Sequence, residues 1–241
     1  RVSGSAGFGD LFGADLLSPD ALWLVFAMNE PLKDRRPLTS RDTGWARAAS
    51  RWLAATSVTP NQVSIGSMAA AALAGLAFWA MGAADGAARA LLLLAGAGLC
   101  QARLICNLLD GMVAVEGGKS APDGPFWNEF PDRVADILIF VGLGLGLGLP
   151  ALGWAAATFA VSTAYVRELG AKIGAPSDFS GPMAKPHRMA LITGAAGLSL
   201  LEPLWSGNGG VMTLALWGVA IGSAATALRR ALRLVSFLKS R

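Results

Sequence analysis

Six long apolar runs, at about 62–81, 88–110, 134–149, 151–170, 189–204 and 211–237, constrain this chain more than any other feature. An α-helix rises about 1.5 Å per residue and a bilayer core is about 30 Å thick, so roughly 20 apolar residues read as one span. The 241 residues leave room for six such helices and short connections. With 54% hydrophobic and only 15% charged residues, disorder is excluded and a water-soluble domain is disfavoured. The fold class predicted is all-α: a polytopic membrane protein of six transmembrane helices, with an N-terminal interfacial amphipathic helix.

Charge placement orients the bundle. The connections around Asp85, Pro150 and Asn208 carry almost no positive charge, whereas the N-terminal arm, the 111–133 and 171–188 loops and the C-terminal tail hold nearly all the Lys and Arg. By the positive-inside rule both termini are cytoplasmic, as an even number of spans requires, in a multi-pass protein of the cell (cytoplasmic or inner) membrane. The excess of 20 Lys+Arg over 16 Asp+Glu is thereby assigned to membrane topology, and no nucleic acid partner is expected.

Three regions are expected. Residues 1–34 read as a poorly structured extension whose one apolar run, 21–28, is too short to span. Residues 35–58 form a cytoplasmic amphipathic juxtamembrane segment, with Trp45, Ala49, Trp52 and Leu53 on one helix face and Arg47 and Arg51 on another. Residues 59–241 form the six-helix membrane domain. Thr59 is positioned to cap its first helix, with Pro60 in the first turn, where a missing N–H costs nothing. The glycines from Gly142 to Gly148 fit small-xxx-small packing, within the molecule or between two copies.

Cys100 and Cys106 lie about 9 Å apart along one helix axis, beyond disulfide reach, and the single histidine, His187, excludes a His-rich metal centre. Metal chemistry would have to use carboxylates. The second run ends Asn107-Leu-Leu-Asp110-Gly111 and the third begins Asp132-Arg-Val-Ala-Asp136. Spacings of three and four put each pair on one helix face, and opposite helix directions bring both pairs to the same membrane level. Carboxylates crowded at that depth repel, and a hard divalent ion with oxygen ligands relieves the cost. Helix capping would account for Asp132 but not for Asp136, a full turn inside an apolar helix.

This pattern resembles the CDP-alcohol phosphotransferase (CDP-alcohol phosphatidyltransferase) family. The family signature, D-x2-D-G-x2-A-R-x8-G-x3-D-x3-D, is matched by Asp110-Gly111, Ala114, Asp132 and Asp136. The resemblance runs from about residue 35 to 241, taking in Thr59-Pro60-Asn61 and the segment from Gly181 to Met189. It implies transfer of a phosphatidyl group from a CDP-linked lipid, CDP-diacylglycerol, to a hydroxyl acceptor with release of CMP, in phospholipid biosynthesis. It implies two divalent cations, Mg2+ or Mn2+, on Asn107, Asp110, Asp132 and Asp136, with Asp136 as general base. Pro60, Asn61, Asn107, Gly111, Ala114 and Asn128 would line the nucleotide or CDP-lipid site. Arg103, Lys185 and Arg188 would contact phosphate or acceptor, Arg103 reaching Asp110 or a phosphate. The partners expected are the CDP-alcohol, a small hydroxylated acceptor, membrane lipid and a second copy in a homodimer.

Three departures stand out. The first signature aspartate is Asn107 and the arginine is Val115. Four extra residues separate the two halves, so that Asn128 is taken as the aligned glycine position, with the insertion between Glu116 and Pro125. Glu129 is a candidate for the missing charge, and His187 reads as a surface residue. These departures keep open a catalytically degenerate CDP-lipid-binding or scaffold protein, and an intramembrane prenyltransferase as a further alternative.

Overall fold

The computed structural model describes residues 43–205 and 209–240. The extension expected at 1–34 lies outside the described residues. In chain order the helices are α1 (Gly44–Ala54), α2 (Pro60–Ala80), α3 (Gly86–Glu116), α4 (Gly124–Gly146), α5 (Pro150–Lys172), α6 (Lys185–Ser199) and α7 (Gly210–Lys239). Short 3-10 turns follow α2 and α6, at Met81–Ala83 and Glu202–Trp205. No strand occurs among the described residues. The fold is all-helical, and α2 to α7 match the six apolar runs in order.

By length and composition three helical stretches can cross a bilayer: Pro60–Ala83, Gly86–Val115 and Gly210–Lys239. The others are interrupted by charge or are short. α4 opens with Glu129, Asp132, Arg133 and Asp136, α5 closes with Arg167, Glu168 and Lys172, and α6 has 15 residues.

α2 begins as its sequence predicts. The Thr59 hydroxyl accepts from the Gln62 N–H (3.2 Å) while the Gln62 side chain accepts from the Thr59 N–H (3.0 Å), a reciprocal capping box. Thr59→Ala is expected to cost about 1 kcal/mol, read as a lower melting temperature in detergent.

α4 lies against α2 along a glycine seam. A Cβ on Gly142 would stand 2.2 Å from the Gly75 carbonyl oxygen, one on Gly75 2.3 Å from that of Leu138, and one on Gly146 2.0 Å from that of Phe78. Only glycine permits backbones this close. Gly144 faces Gly153 of α5 instead, and Gly148 turns the chain with φ +70°. The Gly142–Gly148 motif is thus spent inside the monomer. Phe78, Ile139, Phe140 and Leu143 bury fully beside the seam, continuous with Met189, Ile192 and Leu216 of α6 and α7.

Two further features place the site. α1 packs on α3 through Ala46, which buries with Leu108 and Met112, while Trp45 and Trp52 stay 52% and 68% exposed. Pro131, buried inside α4, removes the N–H that would bond the Trp127 carbonyl, immediately before Asp132.

Candidate active site

Where α2, α3, α4 and α6 meet, Asn107, Asp132 and Asp136 join one hydrogen-bonded network through Arg103, and Asp110 stands beside it on Ser64. Two serines of α2 hold the α3 pair. Ser64 donates to Asp110 Oδ2 at 2.6 Å, and the Ser67 hydroxyl stands 2.5 Å from Asn107 Oδ1. Asn107 in turn donates from Nδ2 to Asp132 Oδ1. Asp110 and Asp136 are buried, 6% and 3% exposed.

Three cations face the two α4 carboxylates. Arg103 donates from Nη2 to Asp132 Oδ1 and Asp136 Oδ1, both at 3.3 Å, and to the Asp132 carbonyl at 3.2 Å. Lys185 pairs with Asp132 Oδ2, and Arg188 Nη2 lies 2.6 Å from Asp136 Oδ2. Arg188 is itself fixed by donating to the Met183 carbonyl at 2.9 Å. Lys185 and Arg188 therefore pair with the acids, where the resemblance put them on phosphate or acceptor. Arg103 departs from expectation: its partners are Asp132 and Asp136, because Asp110 lies two helical turns away, about 10 Å along the axis.

The donor chemistry of the acids suits a hard divalent ion. Asp110 Oδ1 is buried without a hydrogen-bond partner, and a carboxylate oxygen in that state calls for a cation. The remaining oxygens are those of Asp132, Asp136 and Asn107, with no sulfur or imidazole among them, which suits Mg2+ or Mn2+. Among the described residues no three of His, Cys, Asp or Glu are grouped closely enough to hold an ion.

Other predicted residues sit at the rim. Asn61 donates to Asp123 Oδ2 at 2.9 Å, an oxygen it shares with Trp127 Nε1, and so ties the start of α2 to the start of α4. Pro60 opens α2 beside it. Gly111 and Ala114 continue α3 past Asp110, the Ala114 carbonyl accepting from Ser120 at 2.9 Å. Lys119 donates to the Thr56 carbonyl at 2.6 Å, stitching the α3–α4 loop to the α1–α2 loop. Asn128 is exposed, and its side chain donates to neighbouring Glu129 at 3.5 Å. Glu129 does not supply charge to the acid cluster. It is bound by Arg133 and, at 2.5 Å, by Arg167 of α5. His187 is exposed, as expected.

A cavity of about 300 Å³ lies between α5, α7 and their neighbouring loop, with Arg167, Asp178, Arg230, Arg233 and Phe237 in its wall. Arg230 donates to the carbonyls of Thr163 (2.8 Å) and Ser180 (2.9 Å), and Arg233 to the Ser180 hydroxyl (2.5 Å). Arg167 also stacks over Phe179 at 5.1 Å. Partial burial pushes the Asp178 carboxyl up, but hydrogen bonds from Ser180 and the Arg233 guanidinium outweigh it and hold the group below the usual carboxylate range. Thr163 joins this cavity to the acids, since its hydroxyl also stands 3.4 Å from Arg188 Nη1.

No protein-family model matches the chain. A phosphatidylinositol phosphate synthase from Streptomyces avermitilis is 31% identical over 134 residues, 52% of this chain and 54% of that protein. The matched stretch spans about half the length of this curated relative. Among solved structures, the phosphatidylinositol phosphate synthase of Mycobacterium tuberculosis with CDP-DAG bound superposes with a TM-score of 0.65 at 21% identity, covering 78% of this chain and 92% of that one. The chain has the fold of a phosphatidylinositol phosphate synthase. The same Mycobacterium tuberculosis enzyme in complex with manganese and citrate gives a TM-score of 0.65 at 21% identity, over 78% of this chain and 88% of that one. These synthases belong to the CDP-alcohol phosphatidyltransferase family, the family the sequence resembles.

Proposed function

We propose that this chain transfers a phosphatidyl group from CDP-diacylglycerol to the hydroxyl of a phosphorylated polyol such as inositol phosphate, releasing CMP. The network that joins Asn107 of α3 to Asp132 and Asp136 of α4, with buried Asp110 held beside it by Ser64, carries this reading. The fold and the relatives support it.

Asp110, Asp132, Asp136 and the Asn107 carbonyl would hold divalent ions, Mg2+ or Mn2+, which supply charge neutralisation for the donor diphosphate. The acceptor oxygen bonds to the lipid-bearing phosphorus, the bond from that phosphorus to the CMP oxygen breaks, and the acceptor proton passes to Asp136. Lys185 and Arg188 orient the acids and face the incoming phosphate. Pro60, Asn61, Gly111, Ala114 and Asn128 form the nucleotide rim. The cavity walled by Arg167, Arg230 and Arg233 suits the acceptor's phosphate, since guanidinium groups bind phosphate in paired hydrogen bonds.

The six helices α2 to α7 span the cytoplasmic membrane with both termini and the site on the cytoplasmic side, and α1 lies in the headgroup layer with Trp45 and Trp52 outward. A homodimer would use outer helix faces, because the glycine seam is already occupied.

The test is CMP release from CDP-diacylglycerol in lipid nanodiscs, with Mg2+ or Mn2+ and a panel of alcohols with and without phosphate. Release that needs both the metal and a phosphorylated acceptor is expected. Equal turnover with unphosphorylated alcohols would remove the acceptor assignment, and silence with every acceptor would favour a protein that binds CDP-lipid without turnover. Asn107 motivates that second reading, since it removes a carboxylate from the cluster.

Glu129 offers a finer check on the acceptor cavity. By gripping Arg167 it fixes one wall, so Glu129→Gln is expected to raise the acceptor KM about three- to tenfold with kcat nearly unchanged, and Glu129→Asp to restore part of the loss. A fall in kcat alone would place Glu129 elsewhere in the mechanism.

A further inference from the structure

Arg103 has no exposed surface, and it sits in apolar α3 one turn before Asn107. A guanidinium there is costly unless fully engaged. Its Nη2 reaches Oδ1 of both Asp132 and Asp136 at 3.3 Å, while Nε and Nη1 have no hydrogen-bond partner. Lys185 and Arg188 take the Oδ2 atoms of the same carboxylates. Each of the two acids is therefore gripped by a cation on both oxygens. Asn107 completes the arrangement, because its amide donates to Asp132 Oδ1, where a carboxylate would only repel.

We propose that the Arg103 guanidinium is a resident cation of the acid cluster. It stands between Asp132 and Asp136 where a divalent ion would otherwise bridge them, and it competes with that ion for the two Oδ1 atoms. Three cations already sit on the two α4 carboxylates, so an ion arriving at Asp132 and Asp136 meets positive charge on all four of their oxygens. Ion binding must first displace Arg103, whose unpartnered Nε and Nη1 leave donors for an anionic ligand. Arg103 is a positioning residue in this account, holding Asp132 and Asp136 together before the ion arrives. The inference rests on the metal site proposed above.

The test is Mn2+ titration by electron paramagnetic resonance on the full chain in nanodiscs, with melting temperature measured in EDTA and in Mn2+. The wild type is expected to bind Mn2+ weakly and to melt at nearly the same temperature in both conditions. Arg103→Met, which keeps volume but not charge, is expected to bind Mn2+ about tenfold more tightly, to lose melting temperature in EDTA and to regain it with Mn2+. Arg103→Lys should fall between them, since its shorter ammonium cannot bridge both acids as well. Equal Mn2+ affinity in wild type and Arg103→Met overturns the inference and leaves the metal reading standing. A loss of stability that Mn2+ does not restore likewise overturns it, by reducing Arg103 to a structural ion-pair partner. Should Arg103→Met fail to fold, Arg103→Lys decides, and an affinity no higher than wild type overturns the inference. Absence of Mn2+ binding to every form at millimolar concentration removes the metal reading and this inference together.

Discussion

Asp136→Asn is expected to lower CMP release about a thousandfold, within the range by which a positioned general base accelerates proton transfer. The amide keeps the shape of the side chain but cannot accept the acceptor's proton. It also leaves Arg103 and Arg188 without their shared counter-charge in a buried site, a change that costs about 3–5 kcal/mol when one partner of a buried pair is removed. The two effects separate in the double variant Asp136→Asn/Arg188→Met, which should recover much of the melting temperature and none of the turnover. Full turnover by Asp136→Asn would show that the proton leaves by another route.

Gly142→Val is expected to abolish recovery of folded protein. Its Cβ would lie 2.2 Å from the Gly75 carbonyl oxygen, so α2 and α4 would have to separate by more than 1 Å along the whole seam. Overpacking of this kind costs about 3 kcal/mol or more, with backbone on both sides of the clash and no flexible side chain to yield. Gly66 of α2 is the control, since a Cβ there meets nothing within 4 Å. Gly66→Ala should leave a single symmetric elution peak in detergent and an unchanged or slightly raised melting temperature. A well-folded Gly142→Val protein would mean that the seam tolerates expansion.

The order of the long helices was legible because each membrane-sized apolar run leaves its mark on composition. Helix ends were less so. α3 continues to Glu116 and α4 begins at Gly124, outside the apolar runs, because charged residues that serve the site also mask helix periodicity. Spacing alone placed Asn107, Asp110, Asp132 and Asp136 at one level, and they meet there. It could not show what stands between them. Arg103 was visible as a buried charge, but its partners lie on another helix, and local spacing pointed to Asp110. Ser64 and Ser67 were missed because isolated serines in an apolar helix read as packing residues, although their spacing of three already put both on one face. The cavity between α5 and α7 was illegible, as Arg167, Asp178, Arg230 and Arg233 come together only through tertiary packing.

Pro131 bears on how this site accommodates a longer loop than the family pattern has. A helix transmits a length change along its axis through its ladder of backbone bonds, and a missing rung weakens that transmission. The missing rung here falls directly before Asp132. The segment from Gly124 to Phe130 can then shift in pitch or direction as a separate lever, with Asn61 and Arg167 as its moorings, while Asp132 and Asp136 stay registered by the glycines beyond them. Additions to the loop are absorbed upstream of the proline, and Asp132 and Asp136 keep their address.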